Sequence, residues 1–581
     1  MTAPRAATGA GPALLAGLVA AADDAPGRAA IIGPGGARLS FGTLLGRVEA
    51  AAAGLAGLGL RDGDRTVLLV PPGPDFAVAA FALLACGAVP VLIDPGIGLR
   101  RVGRALARVA PVAFVGSPRA YAARRALGWA PTVRHRVVTG DERWVRGAPR
   151  SPTLERSGGR GGRPWPLAAV ERAGAGHRTW RPRPGDAEAA VLFTSGSTGS
   201  PKGVVYRHAH FAAQVAALTT LYDLAPGEVN VATFPPFALF GPALGMTTVL
   251  PDMDFTRPGS ADPARLLADV RRSAAGVLFA SPALLERLAR HGAATGARLD
   301  PLRLVLSAGA PVSADLAARV AGLLPPDAVV ATPYGMTEAL PVCAIGGDDL
   351  RATSGLHDPP RGVCVGPPVP GTEVVVAGIA DVPGAPVSPV PAGHTGEIVV
   401  SGPQVTEAYV ARPDATAAAK TTWRGRPAHR TGDLGWRDGD GRVWFVGRVV
   451  HRVSTASGPL DPLPVEQVAA AHPDVWRAAL VAVDGAPVIV VQPRPAWWRA
   501  AARWRPGGRA RRAALVTEVR DRLDAYTHTA QVAGPMLRRH FPVDARHNAK
   551  VGYEQLARWA AARRRGRWVR VGRRAFGGAA T

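Results

Sequence analysis

The chain has 581 residues, with 69 Gly, 55 Pro, 47% hydrophobic and 19% charged side chains. It is too long for one compact domain and too apolar for a disordered chain, so two or more globular units are expected. No apolar run free of Gly and Pro approaches the roughly 18 residues that a membrane-spanning helix needs, so integral membrane association is not expected.

Basic residues number 69 against 44 acidic ones, a net charge of +25 that on its own suggests nucleic acid or an anionic membrane surface as partner. Only Lys202, Lys420 and Lys550 are lysines, and the remaining basic residues are Arg, scattered and not interleaved with aromatics. That skew, alongside the Ala, Gly and Pro richness, resembles codon bias, and no nucleic-acid partner is expected. A surviving Lys then marks a position that needs a compact ammonium instead of a planar fork. Cys86, Cys343 and Cys364 have no metal-ligand spacing and form no disulfide framework, which fits a reducing cytoplasm.

In chain order, residues 12–21 faintly resemble a secretory signal, but an ordinary first helix accounts for them better. Unalternated apolar runs follow at 67–70, 89–93, 112–115, 189–193, 277–280, 304–306 and 329–331, as expected of strands buried on both faces. Helical patterns lie between them, such as Phe211, Val215, Leu218 and Tyr222, or Leu266, Leu267 and Val270. This alternation predicts a mostly parallel α/β sheet. Residues 143–184, rich in Arg, Gly and Pro, predict a surface insertion or mobile loop that adds little to a core. Over 370–447, short segments at 372–376, 397–400 and 443–446 predict a β-rich subdomain. A small α+β unit is expected over 448–560, then an Arg-rich solvated tail over 561–581.

The most informative stretch is TSGSTGSPKG at 194–203, placed between the run 189–193 and a helix beginning near His208. Its glycines let backbone amides approach polyphosphate oxygens, the hydroxyls of Thr194, Ser195, Ser197, Thr198 and Ser200 donate, and Lys202 supplies charge. The spacing after Gly199 fits neither the Gly-x-x-x-x-Gly-Lys-Ser/Thr loop nor the dinucleotide Gly-x-Gly-x-x-Gly pattern. A flexible linker is a poorer reading, because linkers rarely join a buried strand to an amphipathic helix.

This stretch resembles the phosphate-binding signature of the acyl-adenylate-forming (AMP-binding) superfamily, and further motifs follow in that superfamily's order. They are SAGAP (307–311), TPYGMTE (332–338), GEIVVSGP (396–403), RTGDLG (430–435), GRVWFVGR (441–448) and Lys550. The resemblance spans about residues 30–560. It implies a large N-terminal adenylate-forming domain over 1–447, with parallel α/β sheets plus the β-rich subdomain, and a small mobile C-terminal domain. ATP and Mg²⁺ are the implied cofactors. Thr194, Ser195, Gly196, Ser197, Thr198 and Gly199 would meet phosphates, with Lys202 opposing their charge. Gly309, Ala310, Pro311, Tyr334 and Gly335 would form the adenine site. Thr337 would donate to phosphate, Glu338 and Thr198 would serve Mg²⁺, Asp433 would accept the ribose hydroxyls, and Arg448 would contact ribose or phosphate. Lys550 would bridge the substrate carboxylate and the α-phosphate.

A narrower match lies in TFPPFALFGPALG (233–245), PDMDFTRP (251–258), KGVVYRH (202–208) and RHNAK (546–550), which resemble the olefin-biosynthesis β-lactone synthetases, the OleC family. It implies an acyl pocket at Phe237, Ala238, Phe240 and Gly245, although core packing accounts for both Phe residues equally well. Where acyl-CoA synthetases commonly carry His, this chain has Ala238, and the hinge position, usually Asp or Lys, is Val450. The implied reaction forms an acyl-AMP from a long-chain 2-alkyl-3-hydroxy fatty acid, and the tethered 3-hydroxyl then closes the lactone. The alternatives are an acyl-CoA ligase sharing the same intermediate and a basic nucleic-acid or membrane-surface binder. Assembly with the thiolase, reductase and decarboxylase members of the pathway is also implied. His208 reads as a capping or packing residue, and the His208/His210 pair lacks a third metal ligand.

Overall fold

The computed structural model describes residues 13–140, 163–177, 180, 183–194, 201–234, 236–353, 357, 360–501, 507–543 and 551–575. They form three large sheets, a two-stranded ribbon of Val453–Thr455 and Gly458–Leu460, and a small C-terminal sheet.

The first sheet is ordered Trp165–Pro166, His135–Val138, Ala113–Gly116, Arg65–Leu69, Val89–Leu92, Glu188–Phe193, Gly203–Arg207. All of its pairings are parallel except the last, in which Glu188–Phe193 and Gly203–Arg207 run antiparallel. The second sheet is ordered Ala339–Gly346, Val329–Met336, Leu304–Leu306, Val277–Phe279, Val229–Ala232, Thr247–Val249, Ala29–Ile32, Arg38–Ser40, with antiparallel pairs only at its two edges. Helices cover the strands, so Val67, Val91, Val191, Leu278 and Val305 are buried on both faces, which is why these runs lack alternation. The third sheet is antiparallel throughout and is built from Val363–Gly366, Val443–Arg448, Arg426–Arg437, Gly396–Ser401 and Glu373–Ala377, with Lys420–Trp423 paired to Arg426–Arg437. The C-terminal sheet comprises Val475–Val483, Ala486–Pro493 and Ala533–Leu537, with the helices Pro462–Ala470 and Gly508–Asp524 against it.

The segment resembling a signal is the ordinary first helix expected, Ala13–Asp24, with Leu14, Leu15 and Leu18 buried. The structure departs from expectation in three places. The loop after Phe193 does not run into a helix. The strand Gly203–Arg207 intervenes, because Val204, Val205 and Tyr206 are buried beside Glu188–Phe193 before the helix His208–Tyr222 begins. The second half of the 143–184 segment is not a loop, since the strand Trp165–Pro166 and the helix Leu167–Gly174 bury Leu167 and Val170 against the helix Phe41–Gly57. The Arg-rich C-terminal stretch does not begin beyond the last helix, which runs over Tyr553–Ala575.

Candidate active site

The three large sheets and the start of the C-terminal unit surround one cavity of about 2040 Å³. Its polar end is set by strand termini. The strand Leu304–Leu306 delivers Ser307, Gly309, Ala310 and Pro311 to the wall, with Gly309 at φ +92° in the left-handed region that glycine enters freely. The strand Val329–Met336 carries Tyr334 and Gly335, and the turn to Ala339–Gly346 presents Thr337 and Glu338. Opposite them, Arg426–Arg437 contributes Asp433, whose strand partner is Arg448.

These side chains bond to one another. Tyr334 Oη donates to Asp433 Oδ2 at 2.7 Å, and Arg448 Nε donates to Asp433 Oδ1 at 2.8 Å and its Nη2 to the Thr431 carbonyl at 3.2 Å. Asp433 was expected to serve ribose hydroxyls; here both carboxylate oxygens already accept a protein donor, and a ribose would share them through remaining lone pairs. Burial, reinforced by Asp433, pushes the Tyr334 phenol well above its ordinary pKa, so it donates. Thr337 offers its carbonyl to Tyr206 Oη at 2.6 Å.

Glu338 is fixed by residues that carry no family motif. Tyr409 Oη donates to Glu338 Oε1 at 2.6 Å, while Thr406 donates to the Glu338 carbonyl through N and Oγ1 at 2.9 and 3.0 Å. Lys202 Nζ lies 4.9 Å from the Tyr409 ring centroid and Lys420 Nζ 5.6 Å. Burial lowers the Lys420 ammonium to about 8, with Glu338 and Glu407 opposing that shift and Lys202 adding to it. Its cross-strand partner His429 lines the cavity with Nδ1 at 3.1 Å from the Ala419 carbonyl. Burial, then the fields of Lys420, Lys202 and Arg448, keeps His429 neutral. Sequence reading passed over Lys420, Tyr409 and His429, although the scarcity of lysine offered a signal for the first.

Thr194 lines the cavity, its N–H donating to the Lys202 carbonyl at 3.0 Å. Ser195, Gly196, Ser197, Thr198, Gly199 and Lys550 lie outside the described residues. At the apolar end, Phe237 and Phe240 line the cavity, with Phe237 stacked on Phe279 at 4.1 Å between ring centroids. Ala238 and Gly245 do not line it. Ala238 is fully buried on the other face of the helix Phe237–Ala243, and Gly245 turns the chain after that helix at φ +70°. Leu68, Val70, Phe76, Leu92, Trp129 and Phe211 extend the apolar wall. Burial lowers His208 and His210 to about 4 each. His210 Nδ1 accepts from the Arg207 N–H at 2.9 Å, a helix-capping role. Among the described residues no group of three His, Cys, Asp or Glu is placed to hold a metal, and no helix is long and apolar enough to cross a membrane.

Solved structures share the fold. An amide bond synthetase from Marinactinospora thermotolerans aligns over 94% of this chain and 99% of its own at TM-score 0.74 and 23% identity. ATP-bound MatB from Rhodopseudomonas palustris aligns over 95% and 99% at TM-score 0.73 and 21% identity. By sequence, the olefin β-lactone synthetase of Xanthomonas campestris is 44% identical over 95% of this chain and 98% of its own. That of Stenotrophomonas maltophilia is 44% identical over 90% and 91%, whereas a feruloyl-CoA synthase of Amycolatopsis reaches 29% over 77% and 81%. The AMP-binding enzyme family model matches residues 18–410. The chain thus belongs to the AMP-binding enzymes, as a relative of the olefin β-lactone synthetases.

Proposed function

We propose that this chain activates a long-chain 2-alkyl-3-hydroxy fatty acid with ATP and closes it to a β-lactone, releasing AMP and pyrophosphate. What supports this reading best is a single cavity joining an Asp433, Tyr334 and Glu338 end to an aromatic chamber, in a chain 44% identical to β-lactone synthetases over nearly its whole length. A CoA ligase is not favoured, because the CoA-dependent relative is more distant.

In the first step a carboxylate oxygen attacks the α-phosphorus of ATP. The bond from that phosphorus to the bridging oxygen breaks, and pyrophosphate leaves with the electron pair. Lys202 and the 194–199 loop offset charge on the leaving group, and Lys550 would bridge the carboxylate and the α-phosphate. Gly309, Ala310, Pro311, Tyr334 and Gly335 would hold the adenine, Asp433 and Arg448 the ribose. Mg²⁺ fits as an ion carried by the phosphates. Glu338 would offer one hard carboxylate to the ion, and the family resemblance adds Thr198, with phosphate oxygens and water filling the remaining positions. When bound, the ion offsets phosphate charge. In the second step the 3-hydroxyl oxygen attacks the acyl carbon, the bond to AMP breaks, and the hydroxyl proton passes to a neighbouring base or water. Tethering makes that attack effectively unimolecular, and no thiol channel is required.

The same proposal divides the chain into units 1–447 and 448–560 that rotate about Val450, which is exposed beside the cavity. It also hands the lactone to the other enzymes of olefin or β-lactone biosynthesis. Purified chain with Mg-ATP and a 2-alkyl-3-hydroxy acid, assayed by mass spectrometry, is expected to give lactone, AMP and pyrophosphate without CoA. Thioester formed only when CoA is added overturns the proposal.

A further inference from the structure

The cavity enters both faces of the first sheet. Successive side chains of a strand point to opposite faces. At the ends of three neighbouring strands, both members of an adjacent pair line the cavity: Leu68 and Leu69, Leu92 and Ile93, Leu192 and Phe193. The first of each pair packs into the core that holds Phe76 and Phe211, and the second into the separate core that holds Trp129 and the helix Leu99–Val109.

Each face therefore carries an apolar arm. One is walled by the helices Pro74–Ala85 and His208–Tyr222, which bring Ala80, Leu84 and Leu218 to the cavity. The other follows the helix Pro118–Leu127, whose Ala120 and Ala123 line it one turn apart. That helix is about 15 Å long. Beyond it Trp129 closes the arm, so close to the helix Leu99–Val109 that a Cβ on Gly103 would lie 2.8 Å from Trp129 Cδ1. The two alanines leave open a space that larger side chains would fill. Both arms meet at the strand ends, where Thr194 also lines the cavity.

We propose that the two arms are separate sites for the two alkyl chains of a branched acid, one chain lying against Ala80 and Leu84, the other against Ala120, Ala123 and Trp129. This rests on the function proposed above. The chains of a 2-alkyl-3-hydroxy acid leave adjacent carbons and diverge, so both are buried only where two apolar spaces open from one point. A linear acid fills one arm and leaves the other empty. Because apolar burial is favoured in proportion to the area removed from water, each arm gives its own dependence on chain length.

The test compares two 2-alkyl-3-hydroxy acids, one with a long chain at C2 and a short one at C3, the other reversed. Pyrophosphate release by the full-length chain with Mg-ATP is the readout. Ala123→Leu narrows one arm and Ala80→Leu the other. Each is expected to shift the ratio of kcat/KM between the two acids by about tenfold to a hundredfold, in opposite directions. A shift in the same direction, or an unchanged ratio in either variant, overturns the proposal. A second measurement needs no variant. The same acids carrying a diazirine at the end of the long chain should label the wild type in different places on irradiation, one within 118–129 and the other within 74–85 or 208–222, read by peptide mass spectrometry. Labelling of one arm by both acids overturns it. Pyrophosphate release reports acyl-AMP formation whether or not a ring closes, so arm-selective release without lactone would overturn only the function proposed above.

Discussion

Asp433 carries the most at the residue scale, because one buried carboxylate organises an aromatic ring and a guanidinium at the polar end of the cavity. Asp433→Ala strands a buried phenol and part of Arg448, and is expected to lower stability by about 1–3 kcal/mol while weakening ATP. Tyr334→Phe removes only the donor; Asp433 keeps Arg448, so thermal melting should move little and the KM for ATP should rise modestly. Melting curves and ATP titrations of the two variants check this, and equal melting losses would contradict it. Both positions were legible as motif residues, but their bond was not, because 99 residues separate them. Tyr409 was illegible for a related reason, since it bonds to Glu338 across 71 residues and no local pattern encodes such a meeting, while Lys420 carried only the signal of lysine's scarcity.

At the scale of elements, unbroken apolar runs read correctly and mixed or Pro-rich ones did not. Leu304–Leu306 was found as it stands, an aliphatic run bounded by Arg303 and Ser307. The strand Gly203–Arg207 was hidden, because five residues between a loop and a helix carry too little pattern to separate from either. The helix Leu167–Gly174 was hidden by the composition before it, yet its packing is tight. A Cβ on Gly54 would lie 2.0 Å from the Val170 carbonyl, and one on Gly174 would lie 2.1 Å from the Ala50 carbonyl. Both are backbone contacts with no flexible side chain to yield. Gly54→Ala should therefore force the helices apart and lower stability by roughly 1–3 kcal/mol or more. Because this contact lies away from the cavity, activity per folded molecule should be kept. Denaturation curves and active-site titration check it, and a Gly54→Ala chain as stable as the wild type would refute the close packing.

For the whole molecule, the helix Pro462–Ala470 is the joint between the C-terminal unit and the rest. Gln467 faces back, accepting from the Gly362 N–H at 3.1 Å and donating to its carbonyl at 2.7 Å. Glu466 faces forward, with Oε1 accepting from the Leu480 N–H and from Tyr553 Oη, both at 2.9 Å, and the Tyr553 ring stacks on His451 at 4.0 Å. Burial raises the Glu466 carboxyl from 4.5 to about 7, partly offset by its two donors. Between those values the folded chain holds a proton that the unfolded chain has released. Stability is therefore fullest below about pH 4.5 as far as this group is concerned, and falls as pH rises towards 7. A shift of that size corresponds to about 3 kcal/mol. Glu466→Gln keeps an acceptor oxygen and has nothing to ionise, so its stability relative to the wild type should improve by about that amount between pH 5 and pH 8. Denaturant unfolding of both chains across this range, followed by tryptophan fluorescence, checks it; parallel pH profiles would show that Glu466 does not carry the coupling.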